Sequence, residues 1–245
     1  MTPDTKTQKT QKEFDFSPPR PRPLIARLPA RIDDYEEDVA ASFQRKTGLD
    51  YHHTVDLIIK FVISTGRTKV VDLLTDTAVF PLRLAQLKAF NGRICSLDSN
   101  VTLTERAKQR AAQLNLQQTI EFRQFQEMQV PLEDAFADAV VSIFNLHRHP
   151  PGQYLAEALR ILAPEGLLIL AEYTEEKSPK HVRLWRKARL RYIEKNPAEA
   201  DAVYPGREDV IRWLFDTGFR QVVVQELNTP TSKHPGVFSL IFATK

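Results

Sequence analysis

The 245-residue sequence has a single cysteine, Cys95, only eight glycines and no long apolar run. Each shortage removes a class of protein. One thiol cannot close an internal disulfide, and no Cys/His spacing suggests a zinc site, so a reducing cytoplasm is the expected setting. No stretch approaches the ~20 apolar residues of a membrane span, and the opening MTPDTKTQKTQKEFDFSPPRPRP lacks the apolar core of a signal peptide, so neither export nor membrane insertion is expected. The scarce glycines do not assemble into a dinucleotide fingerprint. A surplus of one charge is missing too. The formal charge is +3, but residues 1–31 carry seven Lys/Arg against three Asp/Glu, leaving the rest at about −1, and nucleic-acid binding by the body is not indicated.

What remains is 42% hydrophobic residues in a length suited to one α/β core with a short appendage. Residues 1–31 form a polar arm with prolines at 18, 19, 21 and 23, a composition that cannot bury enough surface to offset ordering entropy, so the arm is expected to be disordered. Residues 32–66 are expected to form a helical cap. Its helices are read at 33–46, opened by the acidic run DDYEED, and at 51–64, where Val55, Ile58, Ile59 and Val62 recur at helical spacing. Gly48 and Gly66 mark their ends.

From Lys69 short apolar runs alternate with amphipathic ones. Strands are read at 69–74, 93–98, 119–123, 138–144, 166–173, 219–227 and 237–243, with helices at about 80–90, 101–115, 151–162, 179–195 and 206–217. Such alternation means a parallel sheet covered on both faces. The link 228–236 is too short for a helical crossover, so the last strand is expected to run antiparallel to its neighbour. Ligands of open α/β sheets sit beyond the carboxyl ends of the strands at the switch point, here around 72–78, 98, 126 and 145–149.

Four stretches carry a family resemblance: VVDLLTDTA, the end of ICSLDSN, ADAVVSIFNLHRHP and ALRILAPEGLLILAEY. In order and spacing, over roughly 69–173, they resemble the class I S-adenosylmethionine-dependent methyltransferases, and within them the ubiquinone/menaquinone C-methyltransferase-like branch. The resemblance implies a Rossmann-like seven-stranded sheet with an antiparallel last strand, a methyltransferase-like domain over 67–245, and S-adenosylmethionine as cofactor. It implies a loop of alternating glycines after the first strand, where this chain has Leu74, Asp76 and Ala78. Glu165 likewise replaces the first glycine of a Pro-Gly-Gly turn.

The same resemblance marks Asp72, Leu74, Thr75, Asp76, Ala78, Asp98, Gln126 and Asn145 as cofactor-binding positions. Asp98 stands where the family holds the ribose hydroxyls, and a carboxylate accepts two hydrogen bonds from a vicinal diol. Gln126 stands where the family often has an acid for the adenine amino group. A left-handed non-glycine residue costs ~1–2 kcal/mol. The Asp76 carboxylate either repels the cofactor's carboxylate or faces its ammonium, and the sequence leaves that sign open. Pro81 places the start of the following helix near 80–81.

His147 and His149 lie in the loop where methyl acceptors are approached, and a histidine there has the proton affinity for general-base work. Tyr51 is expected to pack, with His52 and His53 exposed. The segment 177–195, within a basic insertion or lid at 177–205, carries eight Lys/Arg and one Glu and offers a surface for an anionic partner. Two readings stay open: a methyltransferase with an altered pocket and a small-molecule acceptor, or a non-catalytic protein of the same fold acting as a scaffold for a protein partner. A nicotinamide-dependent oxidoreductase is disfavoured by the closing hairpin.

Overall fold

The computed structural model describes residues 34–126, 128–174, 183, 186–187, 190–191, 204–234 and 236–245. The arm at 1–31 lies outside the described residues, as does the basic segment 177–195 apart from five isolated positions. Two helices come first, α1 (Asp34–Thr47) and α2 (Tyr51–Ser64). Gly48 stops α1 at φ +76, a conformation that strains any side chain, and a Cβ there would meet the His234 ring at 3.1 Å. Asp50 then caps α2, its carboxylate accepting from His53 N–H at 2.7 Å. Val55, Ile58, Ile59 and Val62 are all buried, as their spacing requires.

The sheet has seven strands among the described residues: β1 (Lys69–Leu73), β2 (Arg93–Asp98), β3 (Ile120–Gln124), β4 (Ala137–Ile143), β5 (Leu162–Thr174), β6 (Arg220–Glu226) and β7 (Val237–Thr244). Their order is β3-β2-β1-β4-β5-β7-β6. The first five pair in parallel, and β7 enters antiparallel between β5 and β6, as the short link 228–236 demands. Between the strands lie α3 (Val79–Gln86), α4 (Val101–Gln113), α5 (Pro151–Ile161) and α6 (Arg207–Thr217). Because β1 and β4 are neighbours while the chain runs outward on both sides, their carboxyl ends form the switch point.

Side-chain alternation divides the core into two layers. One contains Ile58, Ile59 and Val62 of α2, Leu82 of α3 and Ala107 and Ala111 of α4. The other contains Leu155, Ala158 and Ile161 of α5 with Val210 and Leu214 of α6. A fully buried aliphatic side chain in either contributes ~1.5–3 kcal/mol. Cys95 belongs to the second layer, where burial pushes its thiol up to about 12.

Two boundaries differ from the sequence reading by more than two residues. Helix α3 stops at Gln86 instead of 90, because Leu87 turns extended and Phe90 N–H bonds back to Leu87 O. Strand β5 starts four residues early, at Leu162 directly after α5. Leu162 pairs with Ala137, and the register then slips before Ala139, opposite Pro164 and a left-handed Glu165 at φ 59. Proline cannot donate to the ladder, so the slip falls there. Among the described residues no helix is long and apolar enough to cross a membrane.

Candidate cofactor and active site

The turn after β1 carries the first group of site residues. Leu74, Asp76 and Ala78 have φ values of 66, 48 and 59, so all three non-glycine residues hold the left-handed conformation that glycine adopts freely. At ~1–2 kcal/mol each, the strain is about 3–6 kcal/mol, and a turn so placed persists only where its surroundings over-determine it.

The surroundings do so from several sides. Asp76 N–H donates to Asp98 Oδ2 at 2.9 Å, and Thr75 N–H to Leu97 O at 2.9 Å, tying the turn to β2. The Asn145 amide donates to Leu74 O at 2.9 Å and to Ile143 O at 2.8 Å, tying it to the end of β4. From α4, Arg110 donates to Thr77 O at 2.9 Å. The cap helices reach it through Tyr35, whose hydroxyl donates to Asp76 Oδ1 at 2.6 Å, and through Tyr51, whose hydroxyl shares a bond with Thr77 Oγ1 at 2.9 Å.

Asp76 thus presents its carboxylate to a hydroxyl of α1. Leu74 is buried in the same apolar layer as Phe125, Met128 and Leu146. Ala78 opens α3 with no side-chain cap, and Pro81 falls in the first turn of that helix.

Asp98 is 6% exposed, and each of its oxygens accepts one backbone N–H, Oδ2 from Asp76 and Oδ1 from Asn100 at 2.7 Å. An ionised carboxylate has about four acceptor sites, so capacity for two further donors remains. The cap of α4 is Asn100, accepting from Thr102 and Leu103 N–H. Gln126 is exposed beyond β3, next to Phe125, whose N–H reaches Asp98 O at 3.4 Å.

Asp72, 2% exposed, accepts from Ser96 Oγ at 3.0 Å, and Ser96 in turn bonds Thr75 Oγ1. Burial is the largest influence on it, and the Asp98 and Asp76 charges add to it. Together they outweigh the Ser96 and Thr75 hydrogen bonds and push the Asp72 carboxyl from the ordinary 3.8 to about 7.

The two histidines part company. His147, in a 3-10 turn at Leu146–Arg148, is buried, and its Nδ1 lies 2.8 Å from Glu172 Oε1. Its ring stacks on Tyr204 at 4.7 Å. His149 is half-buried and stacks instead on Tyr154 at 5.8 Å. On the cap, His53 is exposed as expected, but His52 is partly covered. It lies 3.8 Å from the buried Glu36, and desolvation first, then the Arg83 charge, holds its pKa below the usual range.

Three partners in this site have no local signature, Tyr35 and Glu36 in the acidic run and Arg110 on α4, while a fourth, Glu172 on β5, has one. Glu36 is 2% exposed and pairs with Arg110 at 2.8 Å. Only Glu172 announces itself, as a lone acid in the apolar strand LLILAEYT.

Comparison with known proteins agrees with this architecture. Residues 78–170 match the family described as "Methyltransferase domain". A demethylmenaquinone methyltransferase of Lactobacillus johnsonii is 29% identical over 110 residues, 44% of this chain and 45% of that one. A ubiquinone/menaquinone biosynthesis C-methyltransferase of Francisella philomiragia is 22% identical over 173 residues, 65% of this chain and 69% of that one. The chain therefore spans less than half of the first relative's own length and about two thirds of the second's. A geranyl diphosphate methyltransferase solved in complex with SAM superposes with a TM-score of 0.60 at 14% identity, covering 89% of this chain and 93% of that one.

The chain has the fold of that solved methyltransferase, and its segment 78–170 is similar to a methyltransferase domain. The curated relatives it resembles are a demethylmenaquinone methyltransferase and a ubiquinone/menaquinone biosynthesis C-methyltransferase.

Proposed function

We propose that the chain is a methyltransferase that uses S-adenosylmethionine and acts on a small-molecule acceptor in the cytoplasm. One observation carries the reading: the turn Leu74–Ala78 keeps the glycine-type backbone without its glycines and is clasped to Asp98 through the Asp76 N–H. A turn freed from ligand binding would be expected to relax out of three left-handed positions, since each is costly. The names of the relatives and of the SAM-bound neighbour support the same chemistry.

The residues present fit the cofactor. Asp98 keeps acceptor capacity for a ribose diol, Gln126 offers an amide beyond β3, and Asp76 directs its carboxylate to Tyr35. When bound, S-adenosylmethionine supplies an electrophilic methyl on a sulfonium. Asn145 and Thr75 brace the turn, and Asp72 sits behind it as a buried acid. We assign the acceptor's proton to His147, which is buried with its Nδ1 2.8 Å from the Glu172 carboxylate.

Calorimetric titration with S-adenosylhomocysteine tests the reading. Single-site binding is expected, weakened about tenfold to a hundredfold by Asp98→Ala, the worth of a hydrogen bond or two to a charged group. Absence of heat and of any thermal shift with either cofactor form would leave a scaffold with a methyltransferase fold.

A further inference from the structure

Glu172 lies near the end of β5, directly after the apolar run Leu167–Ala171, and only 1% of it is exposed. A carboxylate in that position is costly unless it is paired. Its Oε1 lies 2.8 Å from His147 Nδ1 and accepts from Tyr173 N–H at 2.8 Å, while Oε2 is buried with no hydrogen-bond partner. Around the pair are Tyr204, stacked on the imidazole, and Tyr154 with Ser142 on the same face of the sheet. Tyr173 lies beside Tyr204, with Lys46 Nζ 5.0 Å above the Tyr173 ring.

We propose that Glu172 is the positioning residue of a Glu172–His147 pair, its Oε1 accepting the Nδ1 proton so that Nε2 carries the lone pair that deprotonates the methyl acceptor. The deduction is one of proton counting. A carboxylate oxygen only accepts, so with Oε1 facing both the Tyr173 N–H and Nδ1, the imidazole nitrogen is the donor to it. A neutral ring carries one N–H, and Nε2 is therefore bare. In the reaction the acceptor's proton moves to Nε2 as its nucleophilic atom bonds to the methyl and the methyl–sulfur bond breaks, the electron pair staying on sulfur. This inference rests on the methyl-transfer reading above.

Two measurements on the full chain decide it. Long-range ¹H–¹⁵N spectra of histidine-labelled protein, without cofactor and near neutral pH, are expected to show His147 as the Nδ1–H form, with its signals identified by their loss in His147→Gln. In Glu172→Gln the carboxamide oxygen still accepts from Tyr173 N–H and Nδ1, so the Nδ1–H form is expected to persist, whereas in Glu172→Leu no acceptor remains and the Nε2–H form is expected to appear. An Nε2–H ring in the unaltered chain, or an unchanged tautomer in Glu172→Leu, overturns the pairing.

The second measurement is turnover of S-adenosylmethionine with 1,4-naphthohydroquinone as acceptor probe. Glu172→Gln is expected to lower kcat about 10- to 100-fold with KM within about twofold. A rise in KM at unchanged kcat, or no turnover by the unaltered chain, overturns the catalytic role. S-adenosylhomocysteine titration of Glu172→Gln shows whether the site remains folded. Loss of cofactor binding in the unaltered chain would sink the methyltransferase reading while leaving the tautomer result standing.

Discussion

Replacing Asp72 by asparagine gives a direct measure of what the buried acid costs. In the folded chain its carboxyl titrates near 7 instead of the ordinary 3.8, chiefly because burial disfavours the charged form. A group whose folded pKa lies above its unfolded value contributes stability that is complete below the unfolded pKa and is lost as pH rises through the folded one. The window therefore runs from about pH 4 to pH 7, and between about pH 5 and pH 8 this one group removes ~2.5 kcal/mol. Asparagine keeps an oxygen for the Ser96 hydroxyl and an amide for Thr75 but has no proton to lose. Denaturant unfolding across that range should show Asp72→Asn close to the unaltered chain at about pH 4 and ahead of it by ~3–4 kcal/mol at about pH 8, or roughly 6–15 °C in melting temperature. Stability curves for the two chains that run parallel from pH 5 to pH 8 would refute the assignment of a raised Asp72 pKa.

Arg110→Met leaves Glu36 buried without its guanidinium and releases Thr77 O; with Arg110 itself partly exposed, the expected loss is ~2–3 kcal/mol in chemical denaturation. The double variant with Glu36→Met should recover most of it, and a single-variant loss below ~0.5 kcal/mol would contradict the latch. Asp76→Asn keeps an acceptor for Tyr35 and a residue type tolerant of the left-handed region while removing the charge. With the carboxylate turned to α1, about 7 Å and a high effective dielectric leave ~1 kcal/mol of repulsion, so S-adenosylhomocysteine should bind about fivefold tighter. Weaker binding would mean that Asp76 pairs with the cofactor's ammonium.

The backbone of the site was legible where the chain kept a register and changed the residues. Leu74, Asp76, Ala78 and Glu165 all stand at positions where the family pattern has glycine, and all four are left-handed. The sheet with its reversed last strand was legible from the length of one loop. Side-chain partners were not. Glu36 reads as one more solvated acid at a helix start, and only Arg110, 74 residues on, explains its burial. Glu172 and His147 are 25 residues apart on different elements, and periodicity within a window cannot bring them together. The shortened α3 depends on where Leu87 can turn extended, a tertiary outcome that propensity does not fix.

The antiparallel strand β7 sits inside the sheet, not at its rim. A nascent chain emerging from the ribosome only as far as residue 236 holds β5 with one flank unpaired along Leu167–Thr174, and β6 has nothing to dock against. Such an open apolar edge is a template for association with other chains. Ribosome pausing late in translation should therefore be the moment of greatest need for a chaperone, although most of the core has already been made.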